Sequence, residues 1–588
     1  AAGANVATTE STTTTHATLG DNVNIAAGMT GSVSVDARGT DTNLSSAVAG
    51  VGGVVAGSAA FATTKETSDT LAEIGLSTCG APSATCGIVA GAFEATSDHD
   101  SIYNAKVDST TAAVAGASGS VTDHDVHSTV KTKIGDGVKV TANTVDITAS
   151  NASHKYWWGQ TTDANSVATA DNAPWNVDAG SGGLFSLPAA KTNATIWHKT
   201  DVDIGASTLF HVLLPVAGTG AFNVDALNTI VAYDKVRIDS GGAIALAESD
   251  TRLNVTKNDA KVSLGANSVV SSDSGDINIG SRADVKLDAR AVANAYGLAG
   301  APSGKAYVDY VGDSTTEILG GALLLAADAS HGAINVSAGD DSQQRASRID
   351  AHTAVNLWNK TAVPINSTPD ARTNVSQNAT VNVAATSNVL AAGDIGLAAD
   401  RGAIAVSAVG IGKDLYREAA SAIASAVGID ASFDITGGSA PTPGGSARVN
   451  VDGTVLSGLL RQSATQVDVE ILAPAATADD VPSWRLTYST VDSRNNPGLA
   501  ANPLNAALAN PYITSVRTPQ VIESDVAPDS KLQARIDLLY KLKKDYASDP
   551  VATAAYNAEI RFLENKLGPQ GVGQNSSPVT ARGSAALD

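Results

Sequence analysis

The chain has 588 residues, a formal net charge of −21 at pH 7 and 43% hydrophobic residues. This hydrophobic content excludes a disordered chain, and an acidic chain without a cluster of Lys and Arg excludes a nucleic-acid partner. Because aromatic residues make up only 4% of the chain, we expect a long, thin core of small aliphatic side chains and not several thick globular cores.

Short segments of alternating apolar and polar residues dominate residues 1–150 and recur over residues 201–472. Val138-Lys139-Val140 and Val145-Asp146-Ile147 are typical, and Gly, Asp, Asn or Ser residues bound each segment. A single short strand with one apolar face does not stay folded alone, whereas stacked strands pair their backbones and bury that face. The pattern therefore predicts an all-β fold, a β-solenoid with coils of about 20 residues stacked at about 4.8 Å per layer.

Two local features stand out within residues 1–150. Cys79 and Cys86 flank a short loop containing Gly and Pro, which favours a local disulfide and an oxidising compartment, two unpaired thiols being the alternative. Two segments, 98–100 and 123–127, combine His with Asp. Carboxylate and imidazole groups suit divalent cations, but neither segment has the spacing of a known site. We therefore expect polar surface turns and predict no metal and no cofactor.

Residues 151–200 form a Trp-rich insertion in the predicted organisation. It contains Trp157, Trp158, Trp175 and Trp197. Exposed Trp rings stack on sugar rings, so these four residues are candidate contacts for a surface glycan. The alternative is a satellite hydrophobic cluster beneath a loop.

Three stretches rich in Ala and Gly, at residues 47–57, 291–297 and 419–428, predict thin places where small inward side chains let the backbones approach. For residues 417–427 a helix is the competing interpretation.

Residues 473–528 are expected to be irregular because of their Pro content. Residues 529–568 predict a helical hairpin with an apolar face, which serves either as a contact between fibres or as a local insertion. Residues 569–588 are expected to be flexible.

Several segments resemble the repeats of leukotoxin-like filamentous adhesins, very large bacterial exoproteins related in style to filamentous haemagglutinin. The resemblance rests on Ile134–Ala142, Asp239–Ala245 and Tyr296–Ala301, and it covers most of residues 1–470. It implies a right-handed parallel β-helix, secretion across the outer membrane, and a role in adhesion, matrix or filament building. It supplies no catalytic residues.

These observations favour an extracellular structural or adhesive fibre over an enzyme. The Asp residues are spread along turns, and no nucleophile elbow or catalytic triad order stands out. A glycan-binding module is the first alternative, and a β-helical polysaccharide-degrading enzyme is the second. The expected partners are neighbouring segments of the same fibre and a surface glycan. No run of about 18 apolar residues occurs, so no membrane span is predicted, and we expect the sequence to be an internal piece or a processed product.

Overall fold

A computed structural model describes residues 1–78, 87–213, 221–327, 332–426 and 434–457, together with the backbone of four strands beyond residue 462. The fold is all-β, as predicted, and one large, mostly parallel sheet contains nearly all of it. The helices are α1 (Val167–Asn172) and α2 (Leu415–Ala426). The strands are β1 (Ala2–Leu19), β2 (Asn24–Ile74), β3 (Gly87–Ile134), β4 (Lys139–Ala142), β5 (Thr144–Lys155), β6 (Val177–Ile204), β7 (Leu209–Val212), β8 (Ala221–Leu264), β9 (Val269–Ser272), β10 (Ile277–Ile318), β11 (Leu323–Ala326), β12 (Ile334–Ala338), β13 (Arg348–Pro364), β14 (Thr368–Val383), β15 (Asn388–Ala391), β16 (Ile395–Ala399), β17 (Ala403–Asp414), β18 (Ile435–Gly437), β19 (Thr442–Gly444), β20 (Ser446–Val451), β21 (Thr454–Leu456), β22 (Ser463–Leu472), β23 (Ser483–Asp492), β24 (Gln520–Asp525) and β25 (Val579–Arg582).

Each stretch of chain pairs in parallel with a stretch that follows much later in the sequence, as Ile88 does with Val140 and Val145 with Phe222. Side-chain hydrogen bonds between layers join residues with the same separations in sequence. Asn104 and Tyr156 are 52 residues apart, and Asp146 and Asn223 are 77 residues apart. One layer of the sheet is therefore several times longer than predicted. The expected coil of about 20 residues is wrong, because the short strands that follow one another in sequence belong to the same layer.

A tight turn recurs once in every layer and marks where one layer passes into the next. It follows an inward Ile, Leu or Val, and the residue after that apolar residue is Gly in five of the eight cases. The backbone N–H of the residue after the apolar residue donates to the carbonyl of the equivalent apolar residue in the preceding layer, at 2.7 to 3.0 Å. We call this series the turn column. Its apolar residues are Leu19, Ile74, Ile134, Ile204, Leu264, Ile318, Val383 and Val451.

The core lies in two main clusters along each layer. The larger cluster adjoins the turn column and contains Val, Ile, Leu and the edge-to-face pair Phe210 and Phe222, whose ring centroids are 5.2 Å apart. The second cluster lies between the opposed halves of long strands such as β8 and β10, which run towards and away from each tip. Between the clusters run buried polar side chains, including Asn151 and His198. Alternation along the strands therefore buries both apolar and polar residues.

At the end opposite the turn column, each layer bends back on itself. There the opposed inward residues are small, as where Ala47 and Ala49 cluster with Ala60 and Ala62. We call these bends the tips. The predicted thin stretches at 47–57 and 291–297 lie at two of them.

The last described layers differ from the prediction in three places. Residues 415–426 form α2 and not a thin coil, because Asp414 accepts hydrogen bonds from the backbone N–H groups of Tyr416 and Arg417 and caps the helix. Strands β23 and β24 occupy part of residues 473–528, where irregular chain was expected, and β25 lies in the tail expected to be flexible. β23 and β24 pair antiparallel with β16 and β20. The predicted helical hairpin lies outside the described residues.

Candidate functional site

The tips form a surface without charged residues in six successive layers. The uncharged stretches are residues 42–64, 109–122, 179–190, 240–247, 291–304 and 361–369. Charged residues make up 16% of the whole chain, so six uncharged stretches at equivalent positions are a property of this edge and not of the composition.

Large apolar side chains project into solvent at every one of these tips. Their exposed fractions lie between 37% and 74%. We call them the tip stripe. Its members are Val54, Val55, Val114, Leu184, Phe185, Leu187, Ile244, Leu246, Tyr296, Leu298, Val363 and Ile365.

Backbone register stacks the tip stripe into columns. Val55 pairs with Ala115, Ala115 with Phe185, Phe185 with Ile244, and the column continues through Ala299 to Val363. Neighbouring positions of this column are thus one strand spacing apart, about 4.8 Å, and Ala115 and Ala299 occupy two of its six positions. An exposed apolar surface that continues across six layers exceeds the scattered apolar residues of an ordinary surface.

Charged residues resume on both sides of the tips and pair between layers. Arg237 donates to Asp178 at 2.5 Å, and Lys305 lies 3.5 Å from Glu248. Some of the charges that border the apolar edge are therefore paired between layers, and Lys360 lies over the ring of Tyr296 at 5.2 Å.

The four Trp residues predicted as glycan contacts lie in different environments. Trp157 is fully buried and stacks on Tyr233 with ring centroids 5.1 Å apart. Trp197 stacks on His127 at 3.8 Å, and Lys257 lies over its ring, whereas Lys235 lies 4.1 Å from the centroid of Trp175. The burial of Trp157 leaves no ring face for a sugar. For Trp158, Trp175 and Trp197, which are half-buried, glycan contact stays a prediction.

The irregular insertion is shorter than predicted and covers residues 156–176, because β5 and β6 continue the sheet on both sides. It folds over the face formed by β8 and β10. Tyr233 donates to Asp163 at 2.7 Å, and Lys235 Nζ donates to the carbonyls of Ala170 and Asp171 at 2.7 and 2.9 Å. Burial raises the pKa of Tyr233 and lowers the pKa of Lys235.

A cleft of about 570 Å³ opens between this insertion and the sheet. Asp163 and Asn165 line it from the insertion, and Lys286, Arg348 and Asp350 line it from successive layers. Lys286 and Asp163 form an ion pair, and Arg348 lies 2.5 Å from Asp350. The cleft is polar, and its charges already neutralise one another in pairs.

The two segments that combine His with Asp do not form surface turns. His99 and His124 point into the core and are fully buried, while His127 points outward onto Trp197. His99 lies beside Asp41 and Glu66, two residues that the sequence analysis did not single out. An acidic residue at an inward position of the alternating pattern is the signal that marks them.

The predicted pairing of Cys79 with Cys86 lies outside the described residues. Among the residues that the structure describes, no helix is both long and apolar enough to cross a membrane. Comparison with protein-family models, curated proteins and solved structures finds no match to this chain. The similarity to filamentous adhesins accordingly remains a prediction from the sequence.

Proposed function

We propose that this chain is a segment of an extracellular structural or adhesive fibre, and not an enzyme, with the layered sheet wound as a right-handed parallel β-helix. Parallel crossover connections are right-handed in nearly all known cases. The observation that carries the proposal is the tip stripe. It gives the molecule one continuous apolar edge along the direction in which the layers stack, and a fibre can associate along such an edge.

The occupant of the tip stripe in this proposal is the tip stripe of a second copy. A net charge of −21 repels other copies over most of the surface, but the tips carry no charged side chain. Twelve half-exposed apolar side chains offer on the order of 1,000 Å² per copy, comparable with the roughly 800 Å² per partner of a stable interface. Lateral pairing through this edge therefore has enough area without bringing like charges together.

The test combines imaging and association measurements on the whole chain. Negative-stain images of native material are expected to show long fibres with lateral contacts. Sedimentation velocity is expected to show concentration-dependent self-association, and Phe185→Lys with Leu298→Lys is expected to weaken it at least tenfold. These side chains are 45% and 59% exposed, so the substitutions leave the core intact.

Val311→Lys is the matched control, because Val311 is 45% exposed but lies outside the tip stripe. It is expected to associate like the unchanged protein. A monomer at all concentrations, or equal weakening by the control, contradicts the proposed edge.

A glycan-binding module is the second candidate, favoured by the polar cleft beside the insertion. Arg348 and Asp350 provide hydrogen-bonding groups there. Binding to a panel of polysaccharides is expected to be lost in Arg348→Ala with Asp350→Ala. Retained binding excludes the cleft, and release of new reducing ends from any polysaccharide contradicts the non-enzymatic proposal.

A further inference from the structure

Three side chains from different parts of the chain meet inside the first two layers. Asp41 lies in the first layer, Glu66 lies beyond the first tip, and His99 lies on β3. His99 Nε2 is 3.2 Å from Glu66 Oε1 and 3.5 Å from Asp41 Oδ2. The side chains of His99, Glu66 and Asp41 are 0%, 1% and 8% exposed.

The charge of this cluster is not balanced by the protein. In the part of the chain that the structure describes, His99 is the only ion-pair partner of Asp41 and Glu66. Even a protonated His99 would leave one net negative charge in the core. A buried charge without compensation costs several kcal/mol, whereas a divalent cation bound by two carboxylates and a neutral imidazole leaves no net charge.

Free lone pairs converge on the same place. Asp41 Oδ2 and Glu66 Oε2 accept no hydrogen bond, although both atoms are buried. One ligand atom from each of the three side chains lies within 4.8 Å of the others. Ligands about 2.0–2.2 Å from a tetrahedral Zn²⁺ lie about 3.3–3.6 Å from one another, and the 3.5 Å between His99 Nε2 and Asp41 Oδ2 matches that spacing. The 3.2 Å between His99 Nε2 and Glu66 Oε1 is a hydrogen bond, whose place a bound ion would take.

The surroundings hold these ligands in place. Thr13 donates a 2.6 Å hydrogen bond to Asp41 Oδ1, so Oδ2 is the oxygen left free. Gly39 makes room for the imidazole, because a Cβ atom there would lie 2.7 Å from His99 Nδ1. Such contacts behind a ligand fix its orientation and are typical of metal sites.

We propose that Asp41, Glu66 and His99 bind one divalent transition-metal ion of the Zn²⁺ class, which joins the first layer to the second. Carboxylate oxygen and imidazole nitrogen suit this class of ion. The site is structural, because it is closed inside the core and ties together stretches that are far apart in sequence.

The test measures metal content and stability on the whole chain. After exposure to Zn²⁺ and dialysis, the unchanged protein is expected to retain one equivalent of zinc by elemental analysis and to show visible absorption when Co²⁺ replaces it. Removing the metal with a chelator is expected to lower its Tm. Glu66→Gln with His99→Gln is expected to reduce the affinity for Zn²⁺ at least a hundredfold and to abolish the chelator effect.

His211→Ala with Asp273→Asn is the matched control, because His211 and Asp273 form an exposed His–Asp pair at 3.0 Å. It is expected to bind Zn²⁺ like the unchanged protein. Gly39→Ala, which leaves all three ligands present, is expected to weaken binding by displacing His99. The proposal is overturned if the unchanged protein retains no zinc, or if chelation leaves its Tm where it was. Either result stands without any variant and says nothing about self-association through the tip stripe.

Discussion

At the residue scale, the core contains more polar chemistry than a thin aliphatic core requires. Lys155 and Asp234 are fully buried and form an ion pair at 3.0 Å, and Lys155 also donates to the carbonyl of Tyr233. Burial lowers the pKa of Lys155, whereas Asp234 opposes that change. Groups that satisfy one another in this way fix the alignment of neighbouring layers, since a shift by one residue would turn one partner to the other face of the sheet and leave the other charge buried and unpaired.

His198 makes the stability of the fold depend on pH. It is fully buried, neither ring nitrogen has a hydrogen-bond partner, and burial lowers its pKa to about 3. Above pH 6.5 His198 is neutral in both states, and stability is full. As the pH falls towards 3, the unfolded chain binds a proton that the folded chain does not, which costs about 1.4 kcal/mol per pH unit.

Urea unfolding from about pH 7 to about pH 4 checks this expectation. Other groups titrate in the same range, so the comparison is with His198→Leu, which is expected to lose less stability per pH unit than the unchanged protein. Parallel curves for the two proteins would contradict the role of His198.

At the element scale, the turn column leaves no room for a side chain at Gly205 and Gly265. A Cβ atom at Gly265 would lie 2.4 Å from the backbone carbon and oxygen of Gly205 in the preceding layer, and one at Gly205 would lie 2.5 Å from Asp136. Gly20 occupies the same position in the first layer and has nothing within 4 Å. The requirement for Gly at Gly205 and Gly265 therefore comes from the neighbouring layer and not from the turn itself.

Gly265→Ala is expected to lower the free energy of unfolding by about 1–3 kcal/mol, because the added methyl group forces the layers apart. Gly20→Ala makes the same chemical change without a neighbour and is expected to be close to neutral. Denaturant unfolding of both variants measures the difference, and an equal loss in the two would mean that close approach is not the cause.

The sequence contains the layer length, but the alternating pattern alone does not reveal it. Alternation correctly predicts all-β structure and inward residues such as Val138 and Ile147, because side-chain direction has a period of two. It does not tell whether two neighbouring strands lie in one layer or in two. The recurrence of Ile or Leu followed by Gly at Ile74, Ile134 and Ile204 marks the layers. The cluster of Asp41, Glu66 and His99 follows only once that length is known.

At the scale of the whole molecule, charge and apolar surface are separated. Charged residues lie along the broad faces, where they pair between layers, as Lys133 does with Glu73 at 2.7 Å. The tips carry no charged side chain. A molecule with this division repels its copies at long range and offers them a neutral edge at contact.

Self-association of the chain is therefore expected to strengthen as the salt concentration rises. Salt screens the repulsion between copies of charge −21 but does not weaken contact between apolar side chains. Sedimentation velocity at low and high NaCl measures the trend. Weaker association at high salt would point to ion pairs as the contact and away from the tip stripe.

The insertion at residues 156–176 shows how freely the sheet accepts additional chain. Lys155 pairs with Ala232, and Val177 pairs with Val236. In the next layer, the three residues Tyr233–Lys235 therefore span the distance that the whole folded insertion spans in this layer. The register resumes on the far side without a shift. A layer can thus carry a folded insertion on its broad face while the stack stays aligned, which makes the architecture a scaffold for acquiring new surface loops.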